Sequence, residues 1–257
     1  MLARRAVLTT IARGIAGVPL AAILADPRLA RAAAETLATV SLTTAGGRKV
    51  HAALALPART PAPAVLLVHE WWGLNDQIKA VAAEFAREGY AGLAVDLYDG
   101  RVATTREDAR TYVQAVDAAA ATEALAAWID WLRAHTSTTG KVATVGWCFG
   151  GGWSLNASLA RPVDATVVYY GRVTKSAAEL APLAGPVLGH FGTRDRRINR
   201  EMVGKFKRAM EAAGKPFEEH WYTADHAFAN PTGARYDAED AALAWRRTLA
   251  FLGEHLR

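Results

Sequence analysis

Residues 141–152 read KVATVGWCFGGG, and this stretch decides the fold. Residues 141–146 are apolar and β-branched, the composition of a buried strand. They run into Gly146-Trp147-Cys148-Phe149-Gly150 and two further glycines, after which Trp153-Ser154-Leu155-Asn156-Ala157 resumes a helical pattern. A chain that turns so sharply from strand to helix brings backbone against backbone. The positions two before and two after the apex must therefore lack a Cβ. The apex residue is Cys148, and the helix that follows offers free N–H groups and the positive end of its dipole to negative charge developing there. An isolated cysteine is more often a small buried hydrophobe, but the glycine frame points to an exposed nucleophile.

At 257 residues, half of them hydrophobic, the chain suits one large α/β domain. Its first residues have a different character. Arg4-Arg5 precedes a mildly apolar run from Ala6 to Ala25 that includes Gly14, Gly17 and Pro19, and Ala30-Arg31-Ala32 offers a small-X-small cleavage site. This resembles a twin-arginine signal peptide over residues 1–32, recognised by the twin-arginine export machinery, with residues 33–257 as the single mature domain. The uncharged run over residues 14–25 has only twelve residues, too short for a stable membrane span. Expected localisation is periplasmic or secreted. Five arginines and one aspartate leave with the leader, so a net charge of +5 falls to +1, which removes the main support for a nucleic-acid partner. One cysteine forms no internal disulfide.

Strands are predicted over residues 37–43 and 50–56, as a hairpin around Gly46-Gly47, and over 64–69, 90–95, 141–146, 165–170, 186–191 and 217–222. Helical patterns cover about 76–88, 106–116, 123–134, 200–213 and 237–255. Strands and helices alternate, which predicts an α/β fold with a doubly wound, mainly parallel sheet flanked by helices. Acyl transfer needs a nucleophile, a base and a group that orients the base. Cys148, Asp195 and His226 each follow a predicted strand end, in the chain order that α/β-hydrolases use.

From about residue 37 onward the chain resembles the dienelactone hydrolases. The resemblance rests on HEWWGLN (69–75), DLY (96–98), GKVATVGWCFGG (140–151), YYG (169–171), GTRD (192–195) and DHAF (225–228). It implies the α/β-hydrolase fold and a Cys-His-Asp triad of Cys148, His226 and Asp195. It also implies a glutamate beside the thiol, Glu70, and an oxyanion hole made by the backbone N–H groups of Trp71 and Phe149. Carboxymethylenebutenolidase-type activity on a lactone or small activated ester follows, through an acyl-enzyme, with no cofactor, no metal and a monomeric enzyme.

A carboxylate near Cys148 would disfavour a second negative charge and keep the resting sulfur a thiol, safe from oxidation. Arg106 falls where the family keeps an arginine for a substrate carboxylate. The family's serine and second arginine after the histidine are here Ala227 and Asn230. A two-arginine clamp is thus absent, and neutral lactones or aromatic esters are expected to compete with the acidic dienelactone. Trp71, Trp72, Trp147 and Trp153 suggest an aromatic pocket. The alternative reading is a catalytically silent member of the same fold that binds a small acidic or aromatic ligand. A metal site from His69, Glu70, His190 and His226 lacks any ligand spacing.

Overall fold

In the computed structural model, which describes residues 18–257, the chain enters the sheet through a hairpin. Strands β1 (Ala38–Thr43) and β2 (Lys49–Ala55) pair antiparallel across the Gly46-Gly47 turn, and β2 then runs antiparallel to β4 (Ala91–Val95). The remaining strands, β3 (Ala62–Val68), β5 (Thr138–Trp147), β6 (Ala165–Tyr169), β7 (Val187–Gly192) and β8 (Phe217–Tyr222), lie parallel to β4 and to one another. Their order across the sheet is β1-β2-β4-β3-β5-β6-β7-β8. The helices are α1 (Leu20–Ala25), α2 (Pro27–Ala34), α3 (Asp76–Arg87), α4 (Arg106–Gln114), α5 (Ala118–Ala134), α6 (Phe149–Ala160), α7 (Ala177–Leu180), α8 (Arg200–Ala212) and α9 (Ala238–Leu256).

β3 is apolar throughout because both its faces are covered. Val65 and Leu67 join a core with Phe85 of α3 and Leu252 of α9, while Ala64, Leu66 and Val68 join another with Leu125 and Trp128 of α5. A third cluster packs Val203, Phe206 and Met210 of α8 against Val168, Val187 and Phe191. Most of the described helices are capped locally by a side chain, α1 and α6 excepted. The Asn75 side chain accepts the Ile78 N–H at 3.1 Å to start α3. Gly89, at φ 88°, ends it with Gly89 N–H donating to Ala86 O at 3.1 Å and Tyr90 N–H to Phe85 O at 2.9 Å.

The register sets the site. Val68 lies beside Gly146, Trp147 beside Tyr169, Tyr169 beside His190 and Gly192 beside Tyr222, so the loops after β3, β5, β6, β7 and β8 all open at one edge of the sheet. The mainly parallel, doubly wound sheet expected from the sequence is the one observed. α5 begins before the predicted residue 123, capped by Asp117, whose carboxylate accepts the Ala120 N–H at 2.9 Å, because an alanine run carries no periodicity. α1 and most of α2 fall within the segment expected as a leader, residues 1–32, and α2 runs on to Ala34. They pack against α3 and bury Ile23, Leu24 and Ala30. Arg4-Arg5 lies outside the described residues. Among the described residues, no helix is long and apolar enough to cross a membrane.

Candidate active site

Cys148 caps the N-terminus of α6 at φ 54° and ψ −114°, a conformation that a side chain rarely adopts. The turn is locked from both sides. A Cβ on Gly146 would strike the Gly150 carbonyl, and one on Gly150 would strike the carbonyls of Val68 and His69. Cys148 N–H donates to Tyr169 O at 3.0 Å, and its own carbonyl accepts Gly151 N–H at 3.1 Å. The thiol is thereby turned out of the sheet, half-buried, over the loops at its edge.

His226 Nε2 lies 3.1 Å from Cys148 Sγ, and His226 Nδ1 lies 2.6 Å from Asp195 Oδ2. The other Asp195 oxygen accepts the N–H groups of Arg197 at 2.8 Å and Ile198 at 3.1 Å. Burial alone would raise the Asp195 carboxyl, but His226 and these two amides hold it below the usual range. Burial likewise opposes charge on His226, yet the Asp195 bond and the adjacent sulfur push the ring up to about 10. The loops carrying both residues are stitched together, with Thr193 N–H donating to Tyr222 O at 2.8 Å and Arg194 N–H to Ala224 O at 3.0 Å.

Glu70, two residues past the C-terminal end of β3, is only 4% exposed. Burial raises its carboxyl above the ordinary value, against the lowering effects of Asn230, His226, Tyr170 and Arg235. The Asn230 amide donates to Glu70 Oε2. Asn230 Oδ1 is already taken by Thr232, N–H at 2.9 Å and hydroxyl at 2.7 Å, which turns the amide nitrogen toward the carboxyl. The position read from the sequence as a missing arginine is therefore a neutral partner for Glu70. Sequence patterning carries no signal for a bond between residues so far apart. The thiol bonds to His226, and Glu70 bonds to Asn230 rather than to the thiol.

Among the described residues, the amides of Trp71 and Phe149 find no hydrogen-bond acceptor, which leaves two donors free beside the thiol loop. Fully buried Tyr98 holds this corner, its hydroxyl donating to Trp71 O at 3.3 Å and its ring 5.7 Å from that of Phe149. Arg106 opens α4, exposed and without an ion pair among the described residues. Among the described residues, no hydrogen bond or ion pair joins its side chain to the other site residues. The loop before α4 is tied to the site by Ala103 N–H donating to Trp72 O at 2.8 Å. Of the four tryptophans, Trp147 is core, stacked on Tyr169 at 5.4 Å, and Trp153 packs against Phe149 at 6.1 Å. Trp71, Trp72 and Trp153 are partly open, and Trp71 and Trp72 meet edge-on at 5.0 Å. His69 and His190 are buried and bonded to neighbours, His69 to Glu70 O and Leu97 N–H and His190 to the hydroxyls of Tyr222 and Thr248.

A mostly parallel eight-stranded sheet, with a glycine-framed cysteine after its central strand and an Asp–His pair on the following loops, defines an α/β-hydrolase with a thiol at its elbow. The sequence profile of the dienelactone hydrolase family matches residues 50–256, and the chain belongs to that family, whose members are hydrolases of lactone and carboxylic ester bonds. It is 30% identical over 227 residues to the carboxymethylenebutenolidase of Pseudomonas putida, covering 83% of this chain and 94% of the relative. It is 27% identical over 223 residues to carboxymethylenebutenolidase 1 of Cupriavidus pinatubonensis, covering 83% and 95%. Among solved structures, a Klebsiella pneumoniae protein assigned to the dienelactone hydrolases superposes with a TM-score of 0.76 at 26% identity, covering 84% of this chain and 98% of the other. A dienelactone hydrolase-like promiscuous phosphotriesterase from metagenomic libraries gives 0.78 at 23% identity, covering 86% and 99%, a likeness of fold.

Proposed function

We propose that the chain is an exported cysteine hydrolase of lactones or small activated esters, working through an acyl-enzyme on Cys148. The observation that carries this reading is the relay of Sγ, Nε2, Nδ1 and Oδ2 at 3.1 and 2.6 Å, beside two unpaired amides. The one proton that Cys148 and His226 share settles on Nε2, and the thiolate attacks the carbonyl carbon. The carbonyl oxygen takes the electron pair and is received by the N–H groups of Trp71 and Phe149. When the pair returns, the C–O bond to the leaving alkoxide breaks and His226 gives that oxygen its proton. A water then attacks the thioester with His226 as base, Cys148 recovers its thiol, and the acid is released. From a lactone the product is a hydroxy acid, since the alkoxide stays tethered.

Asp195 keeps the imidazole in the tautomer this requires. Twin-arginine export is supported by Arg4-Arg5 and the Ala30-Arg31-Ala32 site. On substrate choice, Asn230 supplies no second cation, and a charge-assisted hydrogen bond is worth about 1.5–3 kcal/mol. Neutral lactones and aromatic esters should therefore be hydrolysed at least comparably with an acidic dienelactone. The test is kcat/KM on a panel of matched acidic and neutral lactones and short esters, for wild type and Cys148→Ala. Turnover lost in Cys148→Ala with neutral substrates competitive is expected; wild-type rates in Cys148→Ala would overturn the mechanism.

A further inference from the structure

Among the described residues, two polar atoms of the site are buried and unpaired, the Glu70 Oε1 and the Tyr170 hydroxyl; a third buried atom without a partner there, Trp128 Nε1, belongs to α5 and its core cluster. A carboxylate oxygen accepts and a phenol donates, so each of the two site atoms is what the other lacks. We propose that Tyr170 is a positioning residue that sets the ionisation of Glu70, its hydroxyl donating to Oε1 when the carboxyl gives up its proton.

The backbone turns Tyr170 to this task. It follows the last residue of β6 and takes φ 38°, the left-handed region that bulky side chains rarely enter. Its N–H stays tied to His190 O at 2.8 Å. The ring leaves the sheet direction and meets His226 edge-on at 5.2 Å and Phe228 at 5.4 Å. Those two rings fix it fully buried, and strain of this kind persists where surroundings over-determine it. The hydroxyl lies near enough to Glu70 for each to shift the other's ionisation, without meeting hydrogen-bond geometry in this state.

Among the described residues, Oε1 has no hydrogen-bond partner. Asn230 is committed to Oε2, with its own oxygen held by Thr232. The charged groups facing Glu70 are His226, paired with Asp195 and Cys148, and Arg235, exposed on the loop after Asn230; both act at a distance through charge. Tyr170 itself is kept protonated by burial and by the charges of Glu70 and Cys148, so it remains a donor throughout the neutral range. Without it, a buried carboxylate would have one neutral hydrogen bond, and the acid form would gain.

The consequence for catalysis rests on the proposed function, but the experiment reads Glu70 whether or not esters are cleaved. Cys148 is the sole cysteine of the chain, so alkylation by iodoacetamide reports it alone. A charged Glu70 suppresses the thiolate; a neutral one does not. Tyr170→Phe should therefore speed alkylation several-fold near neutral pH relative to wild type, and change it by less than about twofold in the Glu70→Gln background. Equal rates in wild type and Tyr170→Phe, or the same acceleration in both backgrounds, would overturn the proposal. If Tyr170→Phe fails to fold, infrared titration of wild type against Glu70→Gln decides. A tyrosine C–O band should shift together with the Glu70 carboxyl band, and its absence from the wild-type titration would be equally fatal. Failure of the ester-hydrolase reading shows separately, as turnover retained in Cys148→Ala.

Discussion

A thiol 3.1 Å from an imidazole shares one proton with it, and the balance of the pair is set by what stands behind the ring. Burial disfavours the imidazolium, but Asp195 at 2.6 Å and the sulfur together push His226 up to about 10, against about 6.5 for a free histidine. Since the folded value is the higher one, the stabilisation that this charge brings is complete below about pH 6.5 and is lost as the pH rises through about 10. The same shift keeps His226 able to protonate a leaving group well into the alkaline range. Asp195→Asn removes the charge while keeping the shape. It should lower kcat/KM by about 10²–10⁴-fold at neutral pH. The basic limb of the pH–rate profile, near pH 10 in wild type, should move down toward the free-histidine value. Profiles of the two proteins over the range from acid to strongly alkaline pH read both effects. A basic limb that does not move would show that something other than Asp195 holds the ring's proton.

At the scale of the element, the turn from β5 into α6 is built on close approach of backbones. Gly146 and Gly150 face each other across it, and Gly151 lies against the Gly171 Cα, which an added Cβ would meet at 2.7 Å. The Gly150 carbonyl, which stands in the way of a Gly146 Cβ, cannot yield without breaking the first turn of α6. Gly146→Ala should thus cost about 3 kcal/mol or more, by the overpacking argument. Gly204→Ala in α8 is the control: its Cβ would meet only the Arg208 guanidinium at 3.7 Å, and it should be neutral or stabilising by up to about 1 kcal/mol. Urea midpoints at an unchanged slope measure both; equal midpoints would show the glycine frame to be dispensable. This elbow could be read in the sequence because its cause is local, four glycines around one cysteine. The alternation of strands and helices was legible for the same reason, since periodicity and punctuation act within a dozen residues. What escaped depends on neighbours distant in the chain. Nothing near Asn230 says that its amide meets Glu70, and Tyr170 reads as the last residue of a strand until the backbone is seen to swing it away.

For the whole molecule, the parallel strands deliver Glu70, Cys148, Tyr170, Asp195 and His226 to one edge, while α1 and α2 dock on α3. These two helices overlap the proposed export leader, and the two roles make opposite demands. The proposed cleavage site, Ala30-Arg31-Ala32, lies inside α2 with Ala30 only 4% exposed, so a peptidase reaches it only when the segment is undocked. The proposed export therefore requires that docking be weak. Ile23 and Leu24 are buried to 2% and 5% exposure, and burying such a side chain contributes about 1.5–3 kcal/mol each. Ordering the two helices opposes this by about 1–2 kcal/mol for every residue whose backbone is fixed, partly offset by their own hydrogen bonds. A chain beginning at Ala33 should accordingly fold with its sheet intact and lose only about 1–3 kcal/mol, as expected where a short amphipathic segment gains little net stability from docking. Comparing urea unfolding of residues 1–257 with 33–257, alongside N-terminal sequencing of protein recovered from the exported fraction, tests the whole argument. An exported protein that starts at Ala33 and a small stability difference are expected. Retention of Met1 after export, or a 33–257 chain that cannot form the sheet, would assign α1 and α2 to the domain itself.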